Sequence, residues 1–206
     1  MSSLTLKFSQ ILQGNFAPGR VNVMLAFQVN CPGCFLHALP TLLRLHAAYS
    51  DRVNFLLLST AFEDFELNTL ENTQKLLASG EVIGETRKAL AHFGLSRFPD
   101  RIPCAVAFDS IEPPANFLTG ELLERICRRL PQFAGASAAA RAEMTNNLRD
   151  YFLRHYKRIG YTFAANLMQG TPTWSIFDEA LNLHQQEFGH YSEESLQRVI
   201  EKQLSK

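Results

Sequence analysis

The residues whose type and spacing most directly permit chemistry are Cys31 and Cys34, two positions apart in the stretch VNCPGCFLHALP of a 206-residue chain. Such a pair can exchange electrons by making and breaking a disulfide, can give two ligands to a metal, or can pack as inert core thiols. Zinc wants four ligands, commonly two such pairs. The remaining cysteines, Cys104 and Cys127, are isolated, one on a candidate strand and one in a candidate helix, and read as small buried hydrophobes. No Gly-rich phosphate loop and no Ser-His-Asp pattern competes with the cysteine pair.

The elements that must position the pair are legible around it. Residues 21–29, VNVMLAFQV, are too short for a free-standing helix and rich in β-branched and aromatic residues, as in a strand buried on both faces. Pro32 follows where a first helical turn accepts proline, and Phe35, Ala38, Leu39, Leu42 and Leu45 recur at helical spacing to about Tyr49, with a kink expected at Pro40. Residues 53–60, VNFLLLST, read as a second buried strand. Strand, helix and strand make a βαβ unit with parallel strands and put the cysteines at the carboxyl end of the first.

Further along, helices are expected over 67–79 and 84–92, stopped by Gly80 and Gly94, and a third strand over 102–109. Helices over 120–130 and 137–159 follow Pro113 and Pro114 and form a candidate insertion over about 111–160. Residues 171–178 and 181–188 read as a hairpin turning at Asp178, Glu179 and Ala180. Ser192 caps a last helix whose inner face carries Leu196, Val199 and Ile200.

Composition bounds the function. Hydrophobic residues make up 46%, and 20 Lys and Arg balance 20 Asp and Glu, so no overall charge field points to nucleic acid or an anionic membrane. Residues 1–16 lack the unbroken apolar core of a signal peptide, and no run of about 18 apolar residues marks a membrane span. With Met1 as the native start, a cytoplasmic location is expected, where a close cysteine pair is catalytic, redox-sensing or metal-binding rather than part of a disulfide framework.

A strand, CPGC opening a kinked helix, a second strand and, much later, Thr171-Pro172 opening a hairpin and a last helix together resemble the thioredoxin fold, and within it the TlpA/ResA-like redoxins. The resemblance covers about residues 21–62, 102–109 and 170–204 and implies an α/β fold: one domain over 1–206, with a central mixed sheet, flanking helices and a large helical insertion that the plain fold does not need. It implies a thiol:disulfide oxidoreductase acting on protein thiols and disulfides with a thiol reductant or reductase, and no cofactor or resident metal. Cys31 is then the nucleophile. Its place at a helix N-terminus, where unpaired N–H groups stabilise a thiolate, should hold its pKa below the free value near about 8.5. Cys34, one turn later, is the resolving thiol. Pro32 stiffens the active-site loop and Gly33 leaves it open to a partner. In relatives the proline matching Pro172 is cis and faces the cysteines, while the backbone of the residue matching Thr171 pairs with an extended substrate.

Departures from the family pattern are equally specific. Asn30 stands where relatives commonly carry tryptophan, and Leu25 replaces the buried acid of thioredoxins. His37 occupies the place of the ResA-like glutamate and is a candidate for proton transfer. Pro40 follows Cys34 by one residue more than the usual kink proline. Gln28 replaces the threonine that peroxiredoxin chemistry would want. Two rival readings stay open from the residues: a redox switch or protein-interaction module without turnover, and a metal carrier using Cys31, Cys34 and His37.

Overall fold

The computed structural model describes residues 3–206. In chain order its elements are β1 (Phe8–Gln13), β2 (Asn22–Phe27), a π-helical turn (Cys34–Ala38) running into α1 (Leu39–Tyr49), β3 (Asn54–Ser59), α2 (Leu70–Ser79), α3 (Gly84–Ala91) and β4 (Ala105–Asp109). Then come β5 (Ile111–Glu112), α4 (Gly120–Cys127), α5 (Ala138–His155), β6 (Ile159–Gly160), α6 (Tyr161–Ala165), β7 (Thr173–Phe177), β8 (Leu183–Phe188) and α7 (Glu193–Leu204). Six strands form a mixed sheet in the order β1-β4-β3-β2-β7-β8, in which β2, β3 and β4 run parallel while β1, β7 and β8 run against their neighbours.

Because side chains alternate across a strand, each central strand feeds two apolar layers. Val23, Leu25 and Phe27 of β2, Phe55 and Leu57 of β3, and Trp174 and Ile176 of β7 face a core closed by α1, α2, α3 and α7. Met24, Ala26, Leu56, Leu58, Ala105, Ala107 and Phe177 face the other way, onto Leu122, Leu123 and Ile126 of α4, Phe152 of α5, and Phe163 and Ala164 of α6. The segment between β4 and β7 is therefore not an ornament that the sheet can spare. It covers one whole face, and the alanines on that face give its helices room to approach.

Local signals account for most boundaries. The Thr69 hydroxyl accepts the Asn72 N–H at 3.1 Å to cap α2, which Gly80 ends in the left-handed conformation at φ 71°, and the Ser192 hydroxyl accepts the Ser195 N–H at 3.2 Å to cap α7. The chain departs from expectation in three places. Residues 8–13 add an edge strand, antiparallel to β4 with two register shifts. The last long helix of the insertion stops at His155, and residues 159–165 turn into β6 and α6. Around Pro40 the helix is not sharply broken: the Leu39 N–H bonds back to the Cys34 carbonyl in a widened turn that ends just before the proline. A π turn takes up one extra residue and relieves the clash that Pro40 would cause in a plain α-helix, which accommodates its late position. No helix among the described residues is long and apolar enough to cross a membrane.

Candidate active site

Cys31 and Cys34 are joined in a disulfide, Cα atoms 5.3 Å apart, where the end of β2 passes into the helical run that starts at Pro32. Cys31 is partly exposed and Cys34 is buried against Phe35 and Ala38 in the core. That asymmetry gives the two sulfurs different access to a partner. The Cys34 N–H points at Cys31 Sγ across 3.3 Å, a donor already in place for the negative charge that reduction leaves on Cys31. The space where a side chain on Gly33 would stand is open within 4 Å, so the loop face beside Cys31 is accessible.

Thr171 and Pro172 face the pair. The bond between them is cis, and the Thr171 carbonyl oxygen lies 3.5 Å from Cys31 Sγ. Pro172 offers its carbonyl to the Gly189 N–H at 2.8 Å, which ties the loop to the far end of the hairpin. Among the described residues, neither the N–H nor the carbonyl oxygen of Thr171 is bonded to another backbone group. An unpaired main-chain donor and acceptor next to a reactive sulfur is what an extended polypeptide needs in order to add as a strand.

Two residues that the sequence marked only as departures build the support. The buried Gln28 accepts the Thr171 hydroxyl at 3.1 Å and donates to the Glu63 carbonyl at 3.3 Å. Asn30, directly before Cys31, donates its N–H to Asn68 at 2.9 Å and its amide to Asp64 at 2.8 Å, and its side-chain oxygen accepts the Glu85 N–H at 2.7 Å. The approach is so close that a side chain on Gly84, itself at φ 51°, would strike the Asn30 amide oxygen. Polar residues at the exit of a buried strand are the signal that could have found both, since such groups must find partners.

His37 projects outward from the π turn, exposed, with its ring edge-to-face on His190 at 4.1 Å. Partial burial and then the neighbouring His190 hold its pKa below the usual histidine value. It has no hydrogen bond to either cysteine among the described residues. No three His, Cys, Asp or Glu side chains among those residues gather as a metal site.

At the same end of the sheet, Asp109 is buried at the tip of β4 and accepts the Thr60 hydroxyl at 2.8 Å, the Thr162 N–H at 2.9 Å and the Phe163 N–H at 3.1 Å. Burial pushes its carboxyl up to about 6 despite these donors. A side chain on Gly160 would collide with both Asp109 and Thr60, so only glycine lets β6 pass here. This knot fastens the start of α6 to the sheet. Cys104 and Cys127 are free and buried, and burial pushes the Cys104 thiol up to about 12.

The sheet order, the two helical layers and the Cys-x-x-Cys disulfide opposite Thr171-Pro172 define a thioredoxin-like fold. No protein-family model matches the chain, and no curated protein matches it in sequence. Among solved structures it is similar to a thioredoxin-like superfamily protein, with TM-score 0.58 and 22% identity over 100% of this chain and 97% of the other. It is likewise similar to a thiol-disulfide isomerase from Corynebacterium glutamicum, with TM-score 0.59 and 18% identity over 99% and 96% of the two chains.

Proposed function

We propose that the chain is a thiol:disulfide oxidoreductase in which Cys31 attacks, Cys34 resolves, and Thr171-Pro172 holds an extended polypeptide partner. The observation that carries this reading is the disulfide itself, one sulfur partly exposed beside an unpaired strand-forming backbone and the other buried one turn along. In the reducing direction the Cys31 thiolate attacks one sulfur of the partner disulfide; that S–S bond breaks and the other partner sulfur leaves as a thiolate. Cys34, deprotonated, then attacks Cys31 Sγ, releasing the second partner thiol and restoring the Cys31–Cys34 disulfide. Two electrons pass to the partner, and an external dithiol returns them. Oxidation of a partner dithiol is the same sequence reversed.

The Cys34 N–H at 3.3 Å and the start of the helical run both favour the thiolate on Cys31 over that on Cys34. Replacing Cys34 by Ser should therefore accumulate mixed disulfides with partner proteins through Cys31, while Cys31→Ser should trap none. The reverse pattern sinks the assignment, and a protein that cannot turn over insulin disulfides with dithiothreitol is not this enzyme.

A further inference from the structure

On the sheet face covered by the insertion, α5, α6 and the turn at Phe62 and Glu63 line a cavity of about 590 Å³. Phe62 and Phe163 line it as a stacked pair with centroids 4.4 Å apart, and Tyr151, Phe152 and Tyr156 add an aromatic wall from α5 and its end. It is joined to the redox site by the chain itself. Gln169 lines the cavity and precedes Thr171 by two residues, so their Cα atoms are at most about 7 Å apart. Gln28 bonds both the Thr171 hydroxyl and the backbone of Glu63, holding the two in register.

We propose that this cavity is the subsite for a large apolar side chain, aromatic above all, of the polypeptide partner, two residues from the cysteine that Cys31 attacks. The inference rests on the oxidoreductase reading and names what that site selects. A partner strand laid on Thr171 advances about 3.3 Å per residue and turns alternate side chains to one face, so a side chain two positions from the reactive cysteine is displaced by about 7 Å, the reach that separates Thr171 from Gln169. The volume falls within the roughly 300–1,000 Å³ of aromatic-lined binding sites, enough for an indole. The rim adds a charge preference. Glu63 lines the cavity with no cation within 4.0 Å of it among the described residues, and Arg158 lies over the ring of Phe65, two residues on, instead. Lys or Arg beside the aromatic residue fits that rim.

The test uses peptides carrying one cysteine as a mixed disulfide with glutathione, with Trp or Ala two residues before or after it. With the reduced protein, the Trp peptide of one orientation should react about tenfold faster than its Ala counterpart, the ratio expected from partial burial of a large ring. Leu148→Trp fills the cavity and Tyr151→Ala removes part of its exposed wall. Each should bring the Trp:Ala ratio to within about twofold, normalised to that variant's own rate with hydroxyethyl disulfide. Equal rates for all peptides in the unmodified protein, or a preference that survives both variants, overturns the proposal. A second arm needs no turnover: the peptides with Ser for Cys are titrated calorimetrically into the Cys31→Ser, Cys34→Ser protein, where the Trp peptide should bind about tenfold tighter and equal affinities overturn the subsite. A protein that prefers the Trp peptide in this arm but reduces no disulfide keeps the subsite and loses the enzyme.

Discussion

The Thr171 hydroxyl donates to the buried Gln28 amide oxygen across 3.1 Å, joining the loop that faces Cys31 to the strand that delivers it. Gln28 has a second bond, to the Glu63 carbonyl, so one side chain sets the spacing of three segments around the sulfur. Gln28→Ala leaves both partners without it. We expect a loss of about 1–3 kcal/mol in stability and a several-fold slower reaction with peptide disulfides, with a smaller effect on small disulfides that need no strand pairing. Denaturant melts and parallel stopped-flow rates on the two substrate types check this; equal slowing of both would mean that Gln28 acts on Cys31 and not on Thr171.

Asn30 makes a second prediction. Putting tryptophan there removes two side-chain hydrogen bonds, to Asp64 and from the Glu85 N–H, and drives a large ring at Gly84. Asn30→Trp should cost about 2–4 kcal/mol and loosen the segment around Asp64 and Asn68, read as faster amide hydrogen exchange over residues 62–69. Unchanged exchange there would show that the segment stands without Asn30.

Asp109 should leave a signature in pH dependence. Its folded-state pKa of about 6 lies above the ordinary 3.8, so the folded protein binds the proton more tightly than the unfolded chain. Stability from this group is therefore greatest at low pH, declines as pH rises from about 4 to about 6, and is flat above, a change on the order of 3 kcal/mol. Asp109→Asn should be offset in stability by its lost acceptor yet lack that slope. Chemical melts of both proteins from pH 4 to 7 give the difference; parallel curves would place the carboxyl's titration outside the folding equilibrium.

The paired rings of His37 and His190 carry the opposite sign. The folded state holds His37 below its ordinary pKa, so the stability linked to it is complete above about 6.5 and is lost as pH falls from there through the lower folded-state pKa. Replacing His190 by Phe keeps the ring contact and removes the charge, and the His37 pKa, followed by NMR, should rise. A fall would mean that His190 is not the opposing charge.

Much of this was legible in the residues, and the reasons are physical. Buried strands such as 21–29 and 53–60 announce themselves because both faces need apolar side chains, and the CPGC stretch needs its place between such a strand and a helix. The edge strand at 8–13 was not legible: with one face open to water, FSQILQ alternates too weakly to mark it. The role of the insertion was missed for a different reason. The alternation of Met24 and Ala26 with Val23, Leu25 and Phe27 shows two buried faces, but nothing in that pattern says which helices cover which face. Gln28, Asn30 and Asp109 became visible only through partners 34 to 143 residues away in sequence.

The burial of Cys104 and Cys127 gives the molecule a built-in stoichiometry. With Cys34 buried as well and the Cys104 thiol pushed up to about 12, an alkylating reagent at neutral pH meets only Cys31 at the helix start while the fold is intact. A count of one adduct on the native chain then reports a reduced pair, none an oxidised one, and four on the reduced chain an unfolded one. Mass alone thus separates the redox state of this protein from its conformational state.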